Sequence, residues 1–147
     1  MKFKTIWIAV ADGARARFYR SNAGGTRIEP ALDMELVADN RPSREIMADR
    51  PGRTKDRVAH GRHAMEPSTD PHEHAQQAFA LEVAELLDAH RKKNDFDELI
   101  IVAPPKMLGY LREAMPEPLR RMVRREEPKD LTKLDPNTLP KRLAALV

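Results

Sequence analysis

Residues 6–20 read IWIAVADGARARFYR. The run Ile6-Trp7-Ile8-Ala9-Val10-Ala11 is apolar at odd and even positions alike, which is the pattern of a strand covered on both faces. Asp12-Gly13 follows, a pair suited to the positive φ angles of tight hairpin turns. Beyond it Ala14, Ala16 and Phe18 alternate with Arg15, Arg17 and Tyr19. A second strand is therefore expected to run back antiparallel to the first, with its arginines on a solvated face.

Working outward, Asn22-Ala23-Gly24-Gly25 supplies a second turn, and Ile28, Leu32, Met34 and Leu36 share a period-2 face. That predicts a third strand and a meander. From Asp39 to Pro71 the pattern disappears, interrupted by Pro42, Pro51, Pro67 and Pro71 and by Gly52 and Gly61. A loop this long inside a compact domain is usually a binding segment or disordered. Order resumes at Asp70-Pro71-His72-Glu73, which reads as an N-cap, a proline at the first helical position and the acid of a capping box. The helix is predicted to reach about Lys93, with Ala75, Phe79, Val83, Leu86, Leu87 and His90 along one stripe. Leu99-Ile100-Ile101-Val102 then predicts a buried parallel strand ended by Pro104-Pro105. A helix from about Lys106 to Ala114 should turn Met107, Leu108, Leu111 and Met115 inward. Leu119 to Glu127 is read as a short helix passing into an edge strand. A closing helix, capped near Asp135-Pro136 or Thr138, should bury Leu139, Leu143 and Leu146.

Composition narrows the function. A chain of 147 residues with 41% apolar content suits one domain with one real core, here 1–147. Its longest apolar runs are far below the roughly 20 residues needed to cross a bilayer. Lys2 and Lys4 before Ile6 to Ala11 imitate a signal peptide, but the apolar run is shorter than the roughly 7–15 residues of such a segment. The absence of cysteine removes disulfides, thiol nucleophiles and Cys-based zinc sites, and it fits a reducing, cytoplasmic compartment. The net charge is +3, yet residues 41–63 carry seven cations (Arg41, Arg44, Arg50, Arg53, Lys55, Arg57, Arg62) against Glu45, Asp49 and Asp56. That local excess of four is larger than the whole-chain value, so the charge is concentrated in the loop.

Catalytic patterns are few. Ser21, Ser43 and Ser68 lie in no nucleophile elbow, and six glycines form neither a P-loop nor a dinucleotide fingerprint. His60, His63, His72 and His74 cluster with Asp70 and Glu73, but His72 and His74 stand two apart, about 200° around a helix. Paired helical ligands favour the i, i+4 spacing, so no metal site and no cofactor is assigned. Turns attract aspartate for structural reasons, which covers Asp12, Asp97, Asp130 and Asp135. The strongest chemical signal is basic. Arg50, Arg53, Arg57, Arg62 and His63 of the loop are expected to contact phosphate, with Asp70 and Glu73 anchoring the loop to the helix. Arg15, Arg17, Arg124 and Arg125, with Arg20, Arg120 and Arg121 nearby, form a secondary basic surface. With Tyr19 and Tyr110 alone available to stack on bases, nucleic-acid contact is expected to be backbone-directed.

Six motifs in order resemble the bacterial host attachment family, proteins required for attachment to host cells. They are VADGARARFY (Val10 to Tyr19), DRPGR (Asp49 to Arg53), GRHAME (Gly61 to Glu66), TDPHEH (Thr69 to His74), VAPPKMLGYLR (Val102 to Arg112) and KDLTKL (Lys129 to Leu134). That family is similar in turn to the middle domain of archaeal and eukaryotic class-I peptide-release factors. The resemblance implies a three-layer, ribonuclease-H-like α/β domain. Its mixed sheet should have about five strands, an antiparallel meander followed by parallel strands, with helices on both faces. The release-factor loop that carries Gly-Gly-Gln corresponds to Asp39 to Pro71, which lacks that tripeptide. The chain's glutamines are Gln76 and Gln77, inside the predicted helix. What is expected is therefore a non-enzymatic, RNA- or ribosome-directed binding module of the bacterial cytoplasm, without membrane insertion and acting indirectly on attachment. The alternatives are a metal-dependent hydrolase of a phosphodiester or peptidyl ester, using Asp12 or loop histidines, and a protein–protein interaction factor in attachment.

Overall fold

A computed structural model of the chain describes residues 4–22, 27–38 and 71–147. The strands are β1 (Ile6–Ala11), β2 (Arg15–Asn22), β3 (Arg27–Pro30), β4 (Leu36–Val37), β5 (Glu98–Val102) and β6 (Val123–Glu127). The helices are α1 (Pro71–Lys92), α2 (Pro105–Ala114), α3 (Glu117–Arg120) and α4 (Leu139–Ala144). Together the strands form one mixed sheet in the order β3-β2-β1-β5-β6, with β4 also on β2. β1 is antiparallel to β2 and parallel to β5, which is parallel to β6.

The central position of β1 explains its composition. Trp7, Ala9 and Ala11 join one apolar cluster with Phe18, Leu99, Ile101 and the inner faces of α1 and α2. Ile6, Ile8 and Val10 join a second with Tyr19, Ile100, Val102 and the α4 residues Leu139 and Leu143. Every residue of β1 is buried. Each large side chain so buried contributes about 1.5–3 kcal/mol relative to exposure, so both faces are needed to hold the strand.

Several expectations change. The third strand is two short pieces, because the chain bends over residues 31–34 once the Ala31 N–H has bonded to Phe18 O at 2.8 Å. β3 and β4 therefore lie one after the other along β2, pairing Tyr19 to Asn22 and Arg15 to Ala16 respectively. The sheet has six strands rather than about five, and Met34 is exposed. The β2 face that carries Arg15, Arg17 and Tyr19 is not simply solvated, since the α4 side covers it and buries Tyr19. Arg20 lies on the opposite face and pairs with Glu29.

Helix α1 buries Phe79, Ala80, Val83, Ala84 and Leu87, whereas Ala75 is exposed and Leu86 and His90 are half-buried. It closes in a Schellman turn. The Asp95 N–H reaches His90 O at 3.0 Å, the Asn94 N–H reaches Arg91 O at 2.9 Å, and Asn94 takes φ 60°. His90 also meets Asp95 Oδ2 through Nδ1 at 2.7 Å and packs its ring 4.9 Å from Trp7. Helix α2 buries Met107, Leu108 and Leu111, with Met115 buried just beyond it. Helix α3 leads into β6, whose pairing steps from Leu99↔Val123 to Ile100↔Arg125 and leaves Arg124 as a bulge residue. α4 buries Leu139 and Leu143, while Leu146 is half-buried against the same cluster.

Candidate functional site

β1 and β5 are parallel neighbours, and open α/β sheets bind ligands beyond the carboxyl ends of such strands. At that edge the chain leaves β1 through Asp12. Asp12 Oδ1 accepts from the N–H groups of Ala14 (2.7 Å) and Arg15 (2.8 Å), and its own N–H reaches Arg15 O at 2.9 Å. This is side-chain-supported turning of the kind that favours aspartate at the first turn position. Gly13 does not take the positive φ expected of it. A Cβ there would stand 2.7 Å from Gln76 Nε2 of α1, the end of a flexible side chain packed over the turn.

The other oxygen of Asp12 faces the C-terminal part of the chain. Thr132 Oγ1 lies 2.9 Å from Asp12 Oδ2 and also contacts Asp130 Oδ1, which accepts the Thr132 N–H at 3.0 Å. One hydroxyl hydrogen serves one carboxylate at a time. Burial pushes the Asp12 pKa up, but the Ala14, Thr132 and Arg15 hydrogen bonds and the Arg15 charge outweigh it and hold the carboxyl below its ordinary value. Asp12 is therefore a fixed negative charge at neutral pH. Thr132 and its partner form the floor of a groove of about 550 Å³, walled by Arg15, Arg17, Lys133 and Asp135.

The wall charges are not equivalent. Arg17 Nε donates to Glu35 Oε2 at 2.8 Å, and this hydrogen bond, working against burial, raises the Arg17 pKa. Asp135 accepts from the Asn137 N–H at 2.6 Å. Arg15 and Lys133 are exposed and make no ion pair among the described residues. The groove thus sets two cations that make no ion pair among the described residues above a carboxylate floor. Among the described residues, no three His, Asp or Glu side chains assemble as a metal-ligand set.

The same turn is reached by the described residues on both sides of the long basic segment. The Ala38 N–H bonds to Ala14 O at 2.8 Å, and Gln76 of α1 lies against the turn at Gly13. Arg50, Arg53, Arg57, Arg62, His63 and Asp70 lie outside the described residues. Glu73 is placed by its contacts with α2. Tyr110 donates its hydroxyl to Glu73 Oε1 at 3.2 Å, and Lys106 Nζ lies 3.6 Å from the same oxygen. Desolvation raises the Tyr110 pKa and the Glu73 carboxylate adds to it, whereas Lys106 opposes.

Arg124 and Arg125 stand on β6, separated from Arg15 and Arg17 by β5 and β1. Arg124 Nη1 donates to Glu98 at 2.9 Å and Arg125 Nε lies 3.4 Å from Glu127. The two halves of the basic surface are therefore distinct places. Sequence reasoning did not connect Asp130 and Thr132 to Asp12, and gave Lys133 and the Tyr110–Glu73 contact no role. The one local signal was Asp130-Leu131-Thr132, an Asx-turn spacing that accounts for the Asp130–Thr132 bond alone.

Comparison with known proteins fits this geometry into a family. The family model described as "protein required for attachment to host cells" matches residues 7–143. The chain belongs to that family. Within the host attachment family's fold, the Asp12 turn, the Thr132 link and α2 all fall inside the matched residues. No curated protein sequence matches the chain. Among solved structures, the crystal structure of the archaeal translation termination factor aRF1 is similar, with a TM-score of 0.51 and 16% sequence identity. The similarity covers 97% of this chain but 35% of that one, so this chain spans about a third of the factor's length. At such identity the likeness is one of fold. No helix among the described residues is long and apolar enough to cross a membrane.

Proposed function

We propose that this member of the host attachment family is a non-enzymatic, RNA- or ribosome-directed binding module of the cytoplasm, built on a three-layer, ribonuclease-H-like scaffold, and that it acts indirectly on attachment to host cells. The observation that carries the reading is the convergence at the Asp12–Arg15 turn. Both described flanks of the basic segment reach that turn, at Ala38 and Gln76, beside a groove whose Arg15 and Lys133 are free to meet phosphate. The fold likeness to a translation termination factor supports a ribosomal direction. In this reading Arg50, Arg53, Arg57, Arg62 and His63 contact the phosphate backbone, and Glu73 holds the end of the segment against α2.

The test is cosedimentation with ribosomes, and retention of generic RNA, at low and raised salt. The wild-type chain should bind at low salt and lose affinity steeply as salt rises; replacing Arg50, Arg53, Arg57 and Arg62 by alanine should abolish most of the binding. No binding, or binding indifferent to those four arginines, rejects the reading. A hydrolase reading draws on one specific observation, the sharing of the Thr132 hydroxyl by Asp12 and Asp130. Turnover of a model phosphodiester in magnesium or manganese, lost in Asp12→Asn, would favour it.

A further inference from the structure

Arg15 on β2 and Arg125 on β6 are distinct places, and α4 lies across the face of the sheet between them. The helix touches β3 at one edge, and Leu146 just beyond it accepts from Arg125 Nη1 of β6 at the other, 3.5 Å away. It buries Leu139 and Leu143, which leaves Lys141 and Arg142 exposed on its outer side. No carboxylate side chain occurs from Pro136 to Val147, and neither cation makes an ion pair among the described residues. Toward β6, Arg125 and Lys129 share the single carboxylate of Glu127. Toward β2, Arg15 and Lys133 stand without an ion pair above Asp12, whose oxygens are taken by N–H groups and by Thr132. The opposite side of the sheet differs. Glu82 and Glu85 of α1 and Glu113 of α2 are exposed there and make no ion pair among the described residues.

We infer that the α4 side of the sheet meets double-helical RNA, its phosphates held by Lys141 and Arg142 between Arg15 and Lys133 at one end and Arg125 and Lys129 at the other. The inference rests on the RNA-directed reading above and gives it an orientation, with α4 toward the nucleic acid and α1 and α2 away. Cations in excess on one side and unpaired carboxylates on the other turn a protein over a polyanion in that sense. The duplex follows from what the surface lacks. Tyr19, the aromatic ring of this side, is 8% exposed, so bases find nothing to stack on among the described residues and the contact is with the backbone alone. A duplex presents its phosphates more densely than a single strand and gives up no stacking by staying paired.

The experiment measures binding of the full chain to a fluorescently labelled RNA hairpin stem, and to a single strand of the same length, by anisotropy across a salt series. Lys141→Ala with Arg142→Ala, at two exposed helical positions, should melt as the wild type does. It should weaken stem binding about tenfold or more at low salt and reduce the slope of log affinity against log salt by about 1.8, two contacts at roughly 0.9 each. Lys141→Arg with Arg142→Lys keeps both charges and should bind as the wild type does. Lys93→Ala with Arg120→Ala removes the same charge from exposed positions on the α1 side and should leave the slope unchanged. If that pair weakens binding as much as the α4 pair, if the α4 pair binds normally, or if the single strand binds more tightly than the stem, the α4 surface is rejected while the RNA-directed reading stands. When the wild-type chain binds neither RNA, the two fall together.

Discussion

The Thr132 hydroxyl sits 2.9 Å from Asp12 Oδ2, joining the turn after the first strand to a residue 120 positions later in the chain. That turn also receives Ala38 and Gln76, so one short segment holds together the C-terminal part, the flanks of the basic segment and the β1–β2 hairpin.

Removing the hydroxyl should be felt. Thr132→Val removes the one hydroxyl hydrogen that Asp12 and Asp130 share and should cost about 1–2 kcal/mol. Asp12→Asn should cost a similar amount at neutral pH. Because the folded-state pKa of Asp12 is depressed, its electrostatic contribution is complete above the ordinary value of 3.8 and is lost as pH falls through the lower folded value. Urea unfolding of wild type and Asp12→Asn should therefore show a stability gap that is constant from pH 5 to 7, in round terms, and that narrows below about pH 4.

The α1 stripe makes an internal comparison. Phe79 is 1% exposed against the sheet, and Phe79→Ala should destabilise by about 3–5 kcal/mol through lost transfer energy and the cavity left behind. Leu81, on the same helix, is 48% exposed, and Leu81→Ala should shift stability by less than about 0.5 kcal/mol. Thermal unfolding of the two variants distinguishes them directly.

Asn94 closes α1 with φ 60°, where a branched side chain clashes with its own backbone. Asn94→Val should lower stability by about 1–2 kcal/mol, while Asn94→Gly should be neutral or slightly stabilising. Equal melting temperatures for the two would contradict the cap.

If the groove takes phosphate, its unpaired cations matter more than its paired one. Arg15→Ala with Lys133→Ala should reduce the slope of log affinity against log salt by about 1.4, the loss of two contacts at roughly 0.7 each on a single strand. Arg17→Ala, whose guanidinium is already engaged by Glu35, should change the slope by much less. Nitrocellulose retention of RNA across a salt series measures both.

Much of the fold was legible because local chemistry specifies it. Ile6 to Ala11 declared a strand buried on both faces, Pro104-Pro105 marked the entry to α2, and Leu119 to Glu127 was read correctly as helix into edge strand. Where local reading failed, a neighbour decided. Leu32, Met34 and Leu36 keep period two, yet the chain bends over residues 31–34 before pairing again at Leu36. Asp12-Gly13 reads as a positive-φ turn, but the turn is made by Asp12 accepting two N–H groups, with the Gln76 side chain packed over Gly13.

The amino-acid sequence by itself determined the elements, their order and the concentration of cations between Arg41 and Arg62, since propensity, periodicity and composition act over a few residues. Only the tertiary structure decided that Asp12 would meet Thr132, and that Arg17 would be engaged by Glu35 while Arg15 and Lys133 make no ion pair among the described residues. Those outcomes depend on which strands lie side by side and which helix covers which face, and a charge or a missing Cβ acquires its meaning only from what is brought within a few ångströms of it.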